Sequence, residues 1–234
     1  MPLVAPELVR FPTFDGRSIP AWLYAPTEAR PNGSHAAVVY VHGGPESQER
    51  PVFNPFIQYL VHRGYVVLAP NVRGSTGYGK SYTHLDDVRR RRDAVRDLRH
   101  AHQWLVQAGW AHPRRVAVQG ASYGGFMVLA AVTTFPELWA AAVDLFGIAN
   151  FLTFLENTGP WRRKLRAAEY GDPQRDADFL REVSPIRHVD RIQAPLMVVH
   201  GATDPRVPIG ETEQIVTALR QRGRPVEYVR FEDE

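Results

Sequence analysis

Val116-Ala117-Val118-Gln119-Gly120-Ala121-Ser122-Tyr123-Gly124-Gly125-Phe126-Met127-Val128-Leu129-Ala130 changes character twice. A short apolar run suited to a buried strand gives way to glycines and small residues around one serine. A second apolar stretch with helical composition follows and stops at Pro136. Gly120 to Gly124 matches G-x-S-x-G, and strand, tight turn and helix are the setting in which that pattern presents a serine hydroxyl at the edge of a sheet. The turn needs small neighbours because larger side chains would collide with the strand. Ser122 is therefore the candidate nucleophile. The N–H of Tyr123, at the helix start, is a candidate oxyanion donor.

Outward from this stretch, similar apolar runs recur at 36–41, 65–69, 140–146, 196–200 and 226–231. They lack polar alternation, which suits strands covered on both faces in a parallel sheet. Helix patterns lie between them: Asn54–His62, Ser81–Ala108, Phe126–Phe135 and Glu211–Gln221, with stops at Gly64, Gly109, Pro136 and Gly223. Before them, Leu8–Ala25 alternates around Asp15-Gly16, a hairpin signal. The expected fold is α/β: a mostly parallel central sheet, helices on both faces and an antiparallel hairpin at the amino end. Residues 1–234 are expected to form one domain, with 150–191 a helical insertion.

Composition narrows the chemistry. The 234 residues include no Cys, which removes thiol nucleophiles, Cys-ligated metal and disulfides. Mean hydropathy is −0.30 and no apolar run approaches a membrane span, so neither membrane nor secretion is expected and a cytoplasmic location is. The isoelectric point near 9.3 hides a net charge of only +3, too little to capture a polyanion. The run Arg89-Arg90-Arg91-Arg92 sits among Asp86, Asp87, Asp93 and Asp97 and reads as a solvated helix face of ion pairs, not a nucleic-acid surface. No metal constellation and no cofactor motif is expected; His100 and His102, two apart on a helix, diverge.

Two further strand ends carry chemistry. Leu196–His200 runs into Gly201-Ala202-Thr203-Asp204-Pro205-Arg206, placing Asp204 where an acid downstream of the nucleophile belongs. Val38–Val41 runs into His42-Gly43-Gly44-Pro45, where Gly44 can bring a second N–H to an oxyanion. These motifs, with Asn71-Val72-Arg73-Gly74-Ser75-Thr76-Gly77-Tyr78-Gly79 and Ser184-Pro185-Ile186, make nearly the whole chain resemble the catalytic domain of the prolyl oligopeptidase family. The likeness is nearest to its acylaminoacyl-peptidase and dipeptidyl-peptidase-like branch. The resemblance implies an α/β-hydrolase fold and a Ser-Asp-His serine peptidase acting on short peptides. It also implies that Arg206 binds a substrate carbonyl or acyl group, that Val207 and Tyr123 shape the pocket for the P1 side chain, and that Trp161 and Tyr170 line it.

One member of that triad is not found. In the family the histidine follows the last strand, whereas the nine histidines here, from His35 to His200, all precede Asp204. His42 sits at the oxyanion loop and His200 at the end of a buried strand, where a satisfied core histidine is expected. The family's amino-terminal β-propeller is absent too, so the sequence is expected to be a fragment. Without a base the serine hydroxyl keeps its proton, and this chain is expected to show at most trace activity. Three rivals stand beside this reading. Gly74–Ser81 satisfies the phosphate-loop pattern G-x-x-x-x-G-K-[ST]. A carboxylesterase would share the elbow, with Arg206, as a buried edge arginine, favouring peptides over esters. A non-catalytic binding module would dispense with the histidine. The edge of the final strand could pair with a second chain.

Overall fold

A computed structural model describes residues 3–234. The turn at Asp15-Gly16 joins β1 (Glu7–Pro12) to β2 (Ser18–Tyr24) in an antiparallel pair. The remaining strands are β3 (Ala37–Val41), β4 (Val66–Pro70), β5 (Val116–Ala121), β6 (Ala141–Leu145), β7 (Leu196–Gly201) and β8 (Val226–Phe231). They form one sheet in the order β1-β2-β4-β3-β5-β6-β7-β8, parallel from β4 to β8. This is the mixed sheet of an α/β-hydrolase. After β3 the chain crosses to one side, to β4, and then returns to β5 on the other. The crevice where the direction switches lies beyond the carboxyl ends of β3 and β5, where open α/β sheets bind ligands.

Helix α1 (Pro55–His62) begins as its residues dictate: the Asn54 carboxamide oxygen accepts from the N–H groups of Phe56 and Ile57, and proline takes the first position. Its Ile57 and Val61 pack on Val38, Val67 and Ala69, covering one face of the sheet. The larger core lies on the other face, under α3 (Arg91–Gln107), α4 (Tyr123–Thr134) and α8 (Gly210–Gln221). Between β6 and β7 the chain forms α5 (Phe151–Glu156), α6 (Pro160–Tyr170) and α7 (Ala177–Val183), then a 3₁₀ stretch over Pro185–Arg191.

Two expectations need correction. The pattern over Ser81–Ala108 is not one helix. A single turn, α2 (Lys80–Thr83), and two 3₁₀ turns precede α3, and Val88, which opens the second 3₁₀ turn, has φ of 46°. The break turns the Asp86 carboxylate inward, where Arg91 meets it. The apolar runs are also not all covered on both faces. Ala117, Val143, Leu145, Met197 and Val199 project from one face and stay half-exposed, while their neighbours Val118, Ala142 and Val198 are buried. Registers Val143↔Met197 and Leu145↔Val199 make this a continuous apolar strip.

Arg73 also proves structural. Its guanidinium, 3% exposed, donates to both oxygens of Asp97 on α3 and to Asp15, fastening the first hairpin to the helix layer.

Candidate active site

Ser122 occupies the junction of β5 and α4 with φ 58° and ψ −118°, backbone angles that residues other than glycine seldom adopt. Its N–H donates to Leu145 O at 2.9 Å, and its carbonyl accepts from Phe126 N at 3.1 Å, so the strained residue is pinned to β6 and to its own helix. The glycines around it serve close approach. A Cβ on Gly120 or Gly124 would run into the backbone carbonyl of Val41, and one on Gly43 would stand 3.0 Å from Ala121 O. The loop after β3 therefore lies directly against the serine turn. We expect Gly124→Ala to lower the melting temperature by several degrees. Alanine ordinarily favours a helix by about 1 kcal/mol, but overpacking against fixed backbone costs about 1–3 kcal/mol. A melting temperature that rises would show that the loop can yield.

Gly44 and Ser122 line one cavity of about 250 Å³, with Ile148, Phe154, Tyr170 and Val207 forming its apolar wall. Tyr123, as the first residue of α4, has no intrahelical acceptor for its N–H. Asp204 lies just past β7, two strands from Ser122 along the same sheet edge. Its Oδ1 accepts from Arg206 N at 2.7 Å and Val207 N at 3.0 Å, which fixes the acid in a tight turn. Arg206 and Val207 then continue into the cavity, so the acid loop and the serine turn share one wall. The carbonyl of Glu234 accepts from Thr203 N, bringing the last strand's exit alongside this loop.

Both histidines near the site are committed elsewhere. His200 is fully buried; its Nε2 faces Val207 O at 2.9 Å and its Nδ1 the Thr212 hydroxyl at 2.7 Å. The Asp204 carboxylate is farther off, 3.8 Å from Nε2. His42 donates from Nδ1 to Gly43 O at 2.7 Å and meets the Ser75 hydroxyl through Nε2 at 2.8 Å. Burial lowers the pKa of each, holding both neutral.

The structure corrects three expectations at the site. Arg206 is exposed, because it caps a surface turn. Trp161 is 80% exposed and lies outside the cavity lining: it falls in the first turn of α6, and its ring folds back over Gly159. Arg91 belongs to no solvated face. Its side chain is fully buried, with Nη1 donating to Asp86 Oδ2 at 3.0 Å and to the Tyr123 hydroxyl at 2.7 Å, and Nη2 donating to Glu169. The Tyr123 hydroxyl donates in turn to Asp86. Tyr123 thus supports the cavity from beneath through this network, while Tyr170 does line it. Burial pushes the Glu169 carboxyl up to about 7, Arg91 opposing the shift.

Beyond the expected residues, α6 contributes Arg162, Leu165, Arg166 and Glu169 to the lining. Their spacing of three and four is one face of a helix, and that periodicity is the signal by which they could have been found. Gly74–Ser81 offers no phosphate cradle: only one helical turn follows it, and the Asp86 carboxylate is packed against Gly74. No helix among the described residues is long and apolar enough to cross a membrane.

Comparison with known proteins agrees with this architecture. The model of the Prolyl oligopeptidase family matches residues 51–234. Dipeptidyl aminopeptidase BIII of Pseudoxanthomonas mexicana is 36% identical over 244 residues, covering 100% of this chain and 35% of the relative. The acylamino-acid-releasing enzyme of Mus musculus is 29% identical over 232 residues, covering 96% and 31%. The structure of a puromycin-hydrolyzing peptidase from Mycobacterium tuberculosis superposes with a TM-score of 0.87 at 34% identity, covering 97% of this chain and 35% of that one. The chain thus spans about a third of the length of these relatives. Since the family model takes in most of the sequence, serine turn and acid loop included, the chain belongs to the prolyl oligopeptidase family.

Proposed function

We propose that Ser122 is the nucleophile of a serine peptidase that cleaves short peptides through an acyl-enzyme. Asp204 is the acid of its triad, and the N–H groups of Gly44 and Tyr123 receive the oxyanion. Arg206, Val207 and Tyr170 contact the substrate. The observation that carries this reading is the backbone of Ser122, held at positive φ between β5 and α4 and opening into the cavity that the acid loop also lines. Strain of this kind costs on the order of 1–3 kcal/mol and persists where the surroundings enforce it, commonly at active sites. Gly44 lines the cavity together with Ser122, which supports its N–H as the second oxyanion donor beside that of Tyr123. An ester substrate would pass through the same tetrahedral intermediate; the relatives named as peptidases favour the amide.

The chain 1–234 is itself proposed to turn over poorly. A serine hydroxyl needs an acceptor for its proton, and both nitrogens of His42 and of His200 already have partners. A fluorophosphonate tests both halves of the reading. On chain 1–234 labelling should be slow and substoichiometric. On the same chain extended after Glu234 by a histidine-bearing segment, which would emerge beside Thr203 and Asp204, it should be rapid, stoichiometric and absent in Ser122→Ala. Rapid labelling of the unextended chain overturns its inactivity. No labelling of either overturns Ser122 as nucleophile.

A further inference from the structure

The cavity beside Ser122 carries an excess of positive charge, of which the catalytic reading uses only Arg206. Arg162 and Arg166, one turn apart on α6, and Arg206 of the acid loop line it together. Against them stand Glu46 and Glu169, and Glu169 is already paired with Arg91. Arg166 is the best placed of the three. Its guanidinium lies 4.0 Å from the centre of the Phe154 ring, and Nη2 donates to Arg206 O at 3.0 Å. Its Nη1 is buried without a hydrogen-bond partner among the described residues. A buried, unsatisfied donor on a cation costs free energy that an incoming acceptor would recover. Burial lowers the pKa of Arg166, and the neighbouring Arg162 and Arg206 add to that shift while Tyr170 and Asp204 oppose it.

We propose that this cavity binds a carboxylate carried by the substrate, with Arg166 as its principal partner and Arg162 and Arg206 assisting. Resting on the peptidase reading, this makes the preferred peptide one with an acidic side chain on the residue whose carbonyl Ser122 attacks. The apolar wall of Ile148, Phe154 and Val207 takes the methylenes of such a side chain, and the guanidiniums meet its end. A cavity of about 250 Å³ holds one side chain of that size.

The test is equilibrium binding to chain 1–234, read by calorimetry without turnover. The probes are N-acetyl-glutamate amide against N-acetyl-glutamine amide, which differ only in side-chain charge, and N-acetyl-alanine against its amide, which differ only in a terminal carboxylate. The glutamate amide should bind at least tenfold more tightly than the glutamine amide. That advantage should shrink in high salt and disappear in Arg166→Gln. Arg162→Gln, at a half-exposed position, should reduce it and carries the test if Arg166→Gln does not fold. Equal binding of the first pair, no binding of the glutamate amide, or an advantage that survives Arg166→Gln overturns the proposal. An advantage confined to N-acetyl-alanine moves the carboxylate to a chain terminus and overturns the side-chain assignment. Because no bond is cleaved, a Ser122 that never labels with fluorophosphonate would sink the peptidase reading and leave this result intact.

Discussion

Arg91→Met should cost this protein about 3–5 kcal/mol, the penalty for leaving buried carboxylates without their cation. Arg91 is wholly enclosed, and its partners Asp86 and Glu169 are 1% and 10% exposed. Methionine can replace the stem but supplies no donor to either carboxylate, to the Tyr123 hydroxyl or to the Glu169 carbonyl. For a domain of this size the loss corresponds to roughly 2–4 °C of melting temperature per kcal/mol. The defect should also depend on pH. With the cation gone, both carboxyls titrate above their unfolded values. Stability is then fully present at low pH, where they are protonated in either state, and is lost as pH rises through their folded values. The gap between variant and parent should therefore widen from pH 5 to pH 8, and Glu169→Gln added to Arg91→Met should recover part of it. Equal losses at both pH values, with no recovery in the double variant, would make Arg91 mere packing.

Asp144→Asn should act in the opposite direction and stabilise the protein at neutral and alkaline pH. Asp144 lies on β6 beneath the serine turn, fully buried, with neither carboxylate oxygen hydrogen-bonded among the described residues. Its carboxyl is packed against Gly125 and Gly147. Desolvation pushes its pKa up to about 7, opposed only in part by the nearby Gly147 N–H, which makes no well-formed hydrogen bond to either oxygen. The folded value thus exceeds the unfolded 3.8. The carboxyl costs nothing by ionisation below pH 4, and its penalty grows until pH 7 and then levels off. Asparagine is neutral throughout. Its advantage over the parent should grow by about 2–3 kcal/mol between pH 5 and pH 8, measured by urea unfolding at each pH. Glu49 and Glu211, also raised to about 7, titrate in both proteins and cancel from the difference. An advantage that does not change with pH would mean that Asp144 is already neutral or solvated across the range.

What could be read from the residues alone divides along a physical line. Ser122 and the fold around it were legible because their constraints are local: Val116–Val118 makes a strand, Gly120 and Gly124 permit the turn, and Phe126–Ala130 makes a helix, all within one stretch. Asp204 was legible for the same reason, from one strand and the turn after it. Arg91 was not, because the groups that make its burial tolerable are far away in the chain. Glu169 is 78 residues on, and Tyr123 is 32. Within its own segment Arg91 looks like its neighbours Arg90 and Arg92, which are exposed. Trp161 shows the converse error: the family resemblance puts it on the pocket wall, but its facing is set by where α6 starts. The guanidiniums of Arg162 and Arg166 resemble any solvated helical charge until Leu165 and Glu169 reveal which side of the helix turns inward.

The half-covered face of β5 to β7 bears on how this polypeptide behaves in the test tube. Val143, Leu145, Met197 and Val199 form a water-facing strip of hydrocarbon, bordered on the β8 side by Glu227 and Val229. Surfaces of that kind bring proteins together as their concentration climbs, and salts that strengthen apolar burial hasten it. Whatever shields the strip will also hold the native state against unfolding, in proportion to how tightly it binds. Yield and shelf life of the purified chain should then follow the occupancy of this face more closely than anything done to the serine.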